Sequence, residues 1–301
     1  MRTRRQLKPF PGFTVLALAA IPFALFGRSG RALPIRPTDP ERLAELLAST
    51  GQYCERAKAI ALHFICIEKI TEIENFFEKI SSPSAIIRDE KIFTTRRIKR
   101  RTYTYDYQLI KKEVDFSERR ILLEENGKKR NLENAGLPQL KYYSQYPFFG
   151  PVGFLSRYWQ DHFNYSILGE ETVNGERAVV IQAVPSEFRE ENFNVGRIWV
   201  NKASQVMRVE WEPDSIQNYE DEIMSTPRGD FHKTVRWSVD YTIEKNGIRF
   251  PGRQLIQEIF YRDSPNSGIR QQAVKRETRF DYTNYKFFVV DTNVDIRDNR
   301  P

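Results

Sequence analysis

TVRWSVDYTIEKNG, residues 234–247, decides the fold. Val235, Trp237, Val239, Tyr241 and Ile243 alternate with Thr234, Arg236, Ser238, Asp240 and Thr242. Period two over that length is a strand with one buried and one wet face. Asn246-Gly247 closes the run, and Asn-Gly supplies the positive φ that a type I′ hairpin turn needs at both central residues. The same dipeptide recurs at Asn126-Gly127 and Asn174-Gly175, each between strand-like stretches. Three such turns describe an antiparallel meander.

Alternation extends outward from there. Tyr103, Tyr105, Tyr107 and Leu109 alternate with Thr102, Thr104, Asp106 and Gln108. Met207, Val209 and Trp211 read as one side of a strand, and Val274, Arg276, Thr278, Phe280 and Tyr282 as one side of another. About nine to eleven strands fit, with no βαβ alternation and no repeat of fixed period. Ahead of them, Thr38-Asp39-Pro40-Glu41 is a helix start, and Leu43, Leu46, Leu47, Cys54, Ala57, Ile60 and Ala61 recur at three- and four-residue steps. An amphipathic helix to about Ala61, with a bend at Gly51, is expected; a strand follows from His63 to about Glu74. The fold class is therefore mainly β with helices (α+β): an open antiparallel half-barrel of about 9–11 strands wrapped over an N-terminal helix and a short lid helix.

The lid comes from LPQLKYYSQYPFFGPVGFLSRYWQDHF, residues 137–163. Pro151 opens a short helix with Val152, Leu155, Trp159 and His162 along one side. Two readings stay open for its aromatics, Phe148, Phe149, Phe154 and Trp159 among them. They plug one end of the sheet as core, or they form a mobile lid over an apolar cavity. In the second case Met207, Val209, Trp211, Val235, Trp237, Val239 and Tyr241 would line a ligand-binding concavity.

The first residues stand outside this plan. Arg2, Arg4, Arg5 and Lys8 precede an apolar run from about Phe13 to Phe26, the pattern of an export signal over residues 1–32. The run falls short of the roughly 20 apolar residues that span a bilayer. A retained anchor helix is the competing reading, because Arg28 and Arg31 crowd any cleavage point. Residues 33–39 read as a linker and 40–301 as a single domain. Residues 1–32 hold six basic and no acidic side chains, so the net charge of +7 falls to +1 once they are set aside. Near-balance gives no electrostatic reason to bind nucleic acid. The run Arg96-Arg97-Ile98-Lys99-Arg100-Arg101 is read as a solvated edge strand or turn.

Chemistry is sparse. His63, His162 and His232 have no ligand partners at metal spacing, and no P-loop, G-x-S-x-G or G-x-G-x-x-G is present. Glu68, Glu72 and Glu74 on one strand read as a wet face. No metal, cofactor or catalytic residue is expected, and the chain is read as not an enzyme. Cys54 and Cys66 are read as a disulfide. Twelve residues apart on one helix they would stand about 18 Å apart. A helix ending near Ala61 and a strand returning from His63 would let them meet.

GEETVNGERAVVIQAVPSE (169–187), VGRIWVNKASQVMRVEWEP (195–213) and DYTNYKFFVVDTNV (281–294) together resemble the bacterial outer-membrane lipoprotein carrier and sorting superfamily, the LolA/LolB-like proteins. The resemblance covers roughly residues 165–295 well and the N-terminal part more loosely. It implies an unclosed β-barrel around helices, with an apolar cavity for acyl chains or a protein partner. The expectation is an exported, periplasmic or cell-envelope protein with no membrane span in the mature chain. It would hold an apolar ligand such as a lipid or lipoprotein acyl chain. The alternative is an interaction or sensor module of the same superfamily that binds an envelope protein partner.

Overall fold

All three Asn-Gly dipeptides turn hairpins: Asn126 and Gly127 have φ of 50° and 79°, Asn174 and Gly175 51° and 83°, Asn246 and Gly247 52° and 73°. These left-handed pairs are what a type I′ turn requires. A computed structural model describes residues 40–60, 63–79, 93–112, 115–138, 140, 147–187, 195–211, 232–263 and 270–288. The chain divides into two units, Met1–Pro34 and Ile35–Pro301, and every described residue belongs to the second. The expected export signal, the linker and Tyr142, Tyr143 and Tyr146 of the aromatic stretch lie outside the described residues.

In chain order the elements are helix α1 (Pro40–Ile60) and strands β1 (His63–Lys79), β2 (Phe93–Lys112), β3 (Asp115–Glu125) and β4 (Lys128–Leu132). A 3₁₀ turn (Pro147–Phe149) and helices α2 (Gly150–Leu155) and α3 (Arg157–Gln160) follow. The remaining strands are β5 (Phe163–Val173), β6 (Glu176–Pro185), β7 (Gly196–Asn201), β8 (Val206–Trp211), β9 (His232–Lys245), β10 (Ile248–Asp263) and β11 (Arg270–Phe287). They form one 11-stranded sheet in the order β4-β3-β2-β1-β11-β10-β9-β8-β7-β6-β5. All neighbours are antiparallel, and the sheet is open, with β4 and β5 at its edges. Among the described strands, the only partners not adjacent in sequence are β1 and β11, which meet mid-sheet with Ile70 opposite Phe280.

One face of this sheet carries the core. Tyr103, Tyr105, Tyr107 and Leu109 are all buried there, as their alternation demands. Asn284 at φ 56° resets the phase of β11, so Tyr282 is followed inward by Tyr285 and Phe287. Helix α1 is continuous through Gly51, and packing explains the glycine. A Cβ there would come 3.1 Å from the Gln160 side-chain amide and 3.3 Å from Arg157, so α3 can lie against α1 only because nothing projects.

The Cys54–Cys66 disulfide is corrected by the structure: both thiols are buried and free. Helix α1 makes its main contacts with α2, α3, β5 and β10, so β1 does not run back beside it. Cys54 Sγ instead lies 3.6 Å from the Pro151 carbonyl. Burial pushes the Cys54 thiol up to about 12 and raises the Cys66 thiol also.

Candidate functional site

The helices seal one end of the core-bearing face. Tyr53, Cys54 and Ala57 of α1 and Val152, Phe154 and Leu155 of α2 join the same apolar cluster as the inward residues of the sheet. Polar anchors hold them. The Tyr241 hydroxyl donates to the Pro147 carbonyl at 2.7 Å, and the Tyr165 hydroxyl donates to the Phe154 carbonyl. The Gln160 amide donates to the Leu47 and Leu155 carbonyls, each at 2.7 Å. Gly150 is the tightest point: a Cβ there would stand 2.6 Å from the Tyr241 oxygen and 3.1 Å from the Trp211 ring.

Of the four aromatics expected in a lid, Phe148 and Phe154 are buried, and Phe149 and Trp159 pack half-buried on the same cluster. Phe148 stacks on Phe250 with centroids 4.9 Å apart and meets Phe64 edge-on at 6.0 Å. In this conformation the segment is seated as a plug. The single helix expected from Pro151 is corrected. It breaks at Ser156, whose backbone is extended (φ −66°, ψ 152°). Trp159 and His162 therefore leave the line of Val152 and Leu155, and His162 is exposed beside Tyr158.

The expected ligand-lining residues meet on β8 and β9, with one exception. Val209 pairs with Val239 and Trp211 with Trp237, and the two indoles stack at 4.4 Å and 20°. Val209, Trp211, Val235, Val239 and Tyr241 belong to the main cluster, and Trp237 packs half-buried against it. Met207 does not join them. Trp199 pairs with Arg208 but Val200 with Val206, so Met207 is the extra residue of a β-bulge. It falls into a separate cluster with Val173, Ala178, Val180 and Trp199. Val209, Val239 and Tyr241 are each 0% exposed, so water touches none of them and they pack wall to wall. Trp237 differs: its indole Nε1–H is enclosed and has no acceptor.

A charged tier crosses the same face further along, and the wet-face expectation for Glu68 and Glu72 is corrected by it. Both are buried. Glu68 accepts from Arg120 Nε at 2.7 Å and Nη2 at 3.2 Å, and Glu118 accepts from Arg120 Nη1 at 2.9 Å. The Tyr107 hydroxyl donates to Glu118 at 2.8 Å, with the Arg120 guanidinium 4.6 Å above its ring. Burial alone would lower the Arg120 pKa; the Glu68 and Glu118 carboxylates overcome this and raise it. Burial, then Glu118, raises the Tyr107 hydroxyl well above its ordinary value. Glu72 pairs with Arg101 at 3.4 Å and Arg276 at 3.2 Å, and Arg276 also holds Glu74 at 2.7 Å. Lys233 and Glu258 form a buried pair at 3.2 Å. The signal was in the sequence: Glu68 and Glu72 share the phase of Phe64, Cys66 and Ile70, all core residues.

Among the described residues no helix is long and apolar enough to cross a membrane, and no cluster of His, Cys, Asp and Glu could hold a metal ion. No family model matches the sequence, and neither does any curated protein. Solved structures do resemble it. An outer membrane lipoprotein-sorting protein domain from Vibrio parahaemolyticus is 12% identical over 84% of this chain and 96% of that one, with a TM-score of 0.38. A LolA superfamily protein from Nitrosomonas europaea is 14% identical over 79% and 93%, with a TM-score of 0.30. A structure of the Pseudomonas aeruginosa MucA/MucB complex is 8% identical over 81% and 99%, with a TM-score of 0.24.

Proposed function

We propose that the chain is an exported cell-envelope binding or carrier-like protein, and not an enzyme. Its ligand would be apolar, such as a lipid or lipoprotein acyl chain, held on the helix-bearing face around Trp237. The observation carrying this reading is Trp237 itself. It continues the apolar tier past the plug, stacked on Trp211, yet is only half-buried and keeps an enclosed Nε1–H without an acceptor. An unsatisfied enclosed donor costs about 1–3 kcal/mol. A carbonyl or phosphate oxygen of a ligand would recover it, while each buried methylene would add about 0.8 kcal/mol. Seating a chain deeper, among Val209, Val239 and Tyr241, requires the segment around Phe148 and Phe154 to lift, since all five side chains belong to one buried cluster. The export-signal pattern of residues 1–32 supports an envelope location.

A second reading is favoured by that same close packing. If the face stays filled, the molecule is an interaction module whose task is a protein partner. Binding of a fluorescent fatty-acyl probe to the purified protein separates the two. The carrier reading expects saturable binding that Trp237→Ala weakens about tenfold, with the fold intact. If no acyl probe binds and Trp237→Ala costs the roughly 3–5 kcal/mol of a core aromatic, the carrier reading fails.

A further inference from the structure

The basic run at 96–101 lies on β2, which is an interior strand for most of its length. Strand β3 stops where Glu125 pairs with Tyr103, whereas β2 continues beside β1 as far as Phe93. Among the described residues, then, this end of β2 has a neighbour on one side only. Thr102 fixes which backbone groups face the open side. Asn126 N–H donates to the Thr102 carbonyl at 2.8 Å, and Thr102 N–H donates to Asn126 Oδ1 at 3.0 Å. Strand geometry repeats every second residue, and the β1 pairing is regular from Thr102 to Ile98. The N–H and C=O of Arg100 and Ile98 therefore point the same way, to the side where no described strand pairs with them.

The Asn126-Gly127 turn brings a second basic run to this corner. Lys128, Lys129 and Arg130 open β4, all exposed, as are Arg97, Lys99 and Arg100 of β2. Local carboxylates are largely taken: Glu125 by Arg130 at 2.6 Å, Glu72 by Arg101 and Arg276, and Glu74 by Arg276; Glu124 sits opposite Lys129 in register. Among the described residues the result is an unpaired strand edge inside a positive field, with Ile98 62% exposed at its centre. A second copy of this edge is a poor occupant, because like charges placed opposite one another destabilise pairing.

We propose that the overhang of β2 at 97–101 is a docking edge for an extended, acidic segment of a partner protein. The segment adds a strand beside Ile98 and Arg100 and sets its carboxylates against Arg97, Lys99, Arg100, Lys128, Lys129 and Arg130. Main-chain hydrogen bonds supply affinity in this mode, and the side chains select the partner. The charge-assisted contacts favour carboxylates and weaken with salt. The docking groups lie at this corner of β2 and β4 and include none of the residues around Trp237, so the edge stands whether or not an apolar ligand is held there.

The test uses the whole protein and a short fluorescent peptide alternating Glu with Thr and Val, followed by anisotropy. Saturable binding is expected, weakened at least about tenfold in Arg97→Glu/Arg100→Glu and in Lys128→Glu/Lys129→Glu. Ile98→Pro deletes one outward N–H that β1 does not use and should abolish binding with the urea midpoint unchanged. The same peptide N-methylated along one edge should also fail, which tests strand pairing without altering the protein. Binding that survives both Ile98→Pro and N-methylation overturns the proposal. So does a preference for phosphatidylglycerol vesicles over the peptide, which would assign the patch to a lipid surface, or an absence of peptide binding at low salt.

Discussion

Replacing Arg120 by Leu should destabilise the protein more than any surface charge change. Arg120 and Glu118 are 9% and 8% exposed at the side chain, and Glu68 0%. The guanidinium makes three hydrogen bonds to the two carboxylates, at 2.7, 3.2 and 2.9 Å. Removing it leaves two buried anions close together without the guanidinium that neutralises them. Breaking a buried pair from one side costs about 3–5 kcal/mol, a large part of the roughly 5–15 kcal/mol that holds a domain together. At about 2–4 °C per kcal/mol for a domain of this size, the melting temperature falls by roughly 6–20 °C. The companion Glu68→Leu/Arg120→Leu removes one of the two anions along with the cation and leaves Glu118, which still accepts from the Tyr107 hydroxyl. It should recover part of the loss, about 1–2 kcal/mol, since a buried pair replaced by apolar groups costs less than a buried charge left alone. Urea unfolding followed by tryptophan fluorescence measures both. A single-variant loss below about 1 kcal/mol, the scale of an exposed pair, or a double variant no better than the single, refutes the reasoning.

Gly150→Ala should cost about 1–3 kcal/mol by overpacking against Tyr241 and Trp211, while Gly153→Ala, which meets nothing within 4 Å, should gain about 0.5–1 kcal/mol as a helical Ala; thermal melts of the pair check this. Ellman titration at pH 8 should find no reactive thiol in the native protein, because burial holds Cys54 protonated, and two free thiols after denaturation without reductant. Arg249 and then Asn201 hold the Glu176 carboxyl below its usual range. A depressed carboxylate contributes stability above its unfolded pKa and loses it as pH falls through the folded one. The stability gap between the parent and Glu176→Gln should therefore be present at neutral pH and close in acid below about 4, as read from urea midpoints against pH.

The alternating strands and their turns were legible because both signals are local. Nothing beyond a strand's own side chains decides that Tyr103 to Leu109 face the core, or that Asn-Gly adopts positive φ. What stayed hidden depends on neighbours. The Met207 bulge exists only relative to β7, so the sequence of β8 reads as unbroken alternation through it. Glu68 and Glu72 look like a wet face until Arg120 and Arg276 arrive from strands far away in sequence. The disulfide failed for a similar reason, since where α1 leans is set by Gly51, Gly150 and the α2–α3 break, none of which periodicity describes. Of the expected site, the Trp211–Trp237 pairing follows from simple alternation on two adjacent strands.

The β1–β11 seam has a consequence for how such a chain is made. Ile70 lies opposite Phe280, so the middle of the sheet waits for β11 to be synthesised. At 5–20 residues per second that delay is roughly 10–40 s, during which β1 has a free edge on the side that β11 will occupy. Non-local pairing of this kind is slow to form, and a nascent chain ending before Arg270 holds two half-sheets with no means of joining. Late closure of the β1–β11 seam therefore keeps the two half-sheets open to one another until residues 270–287 have left the ribosome.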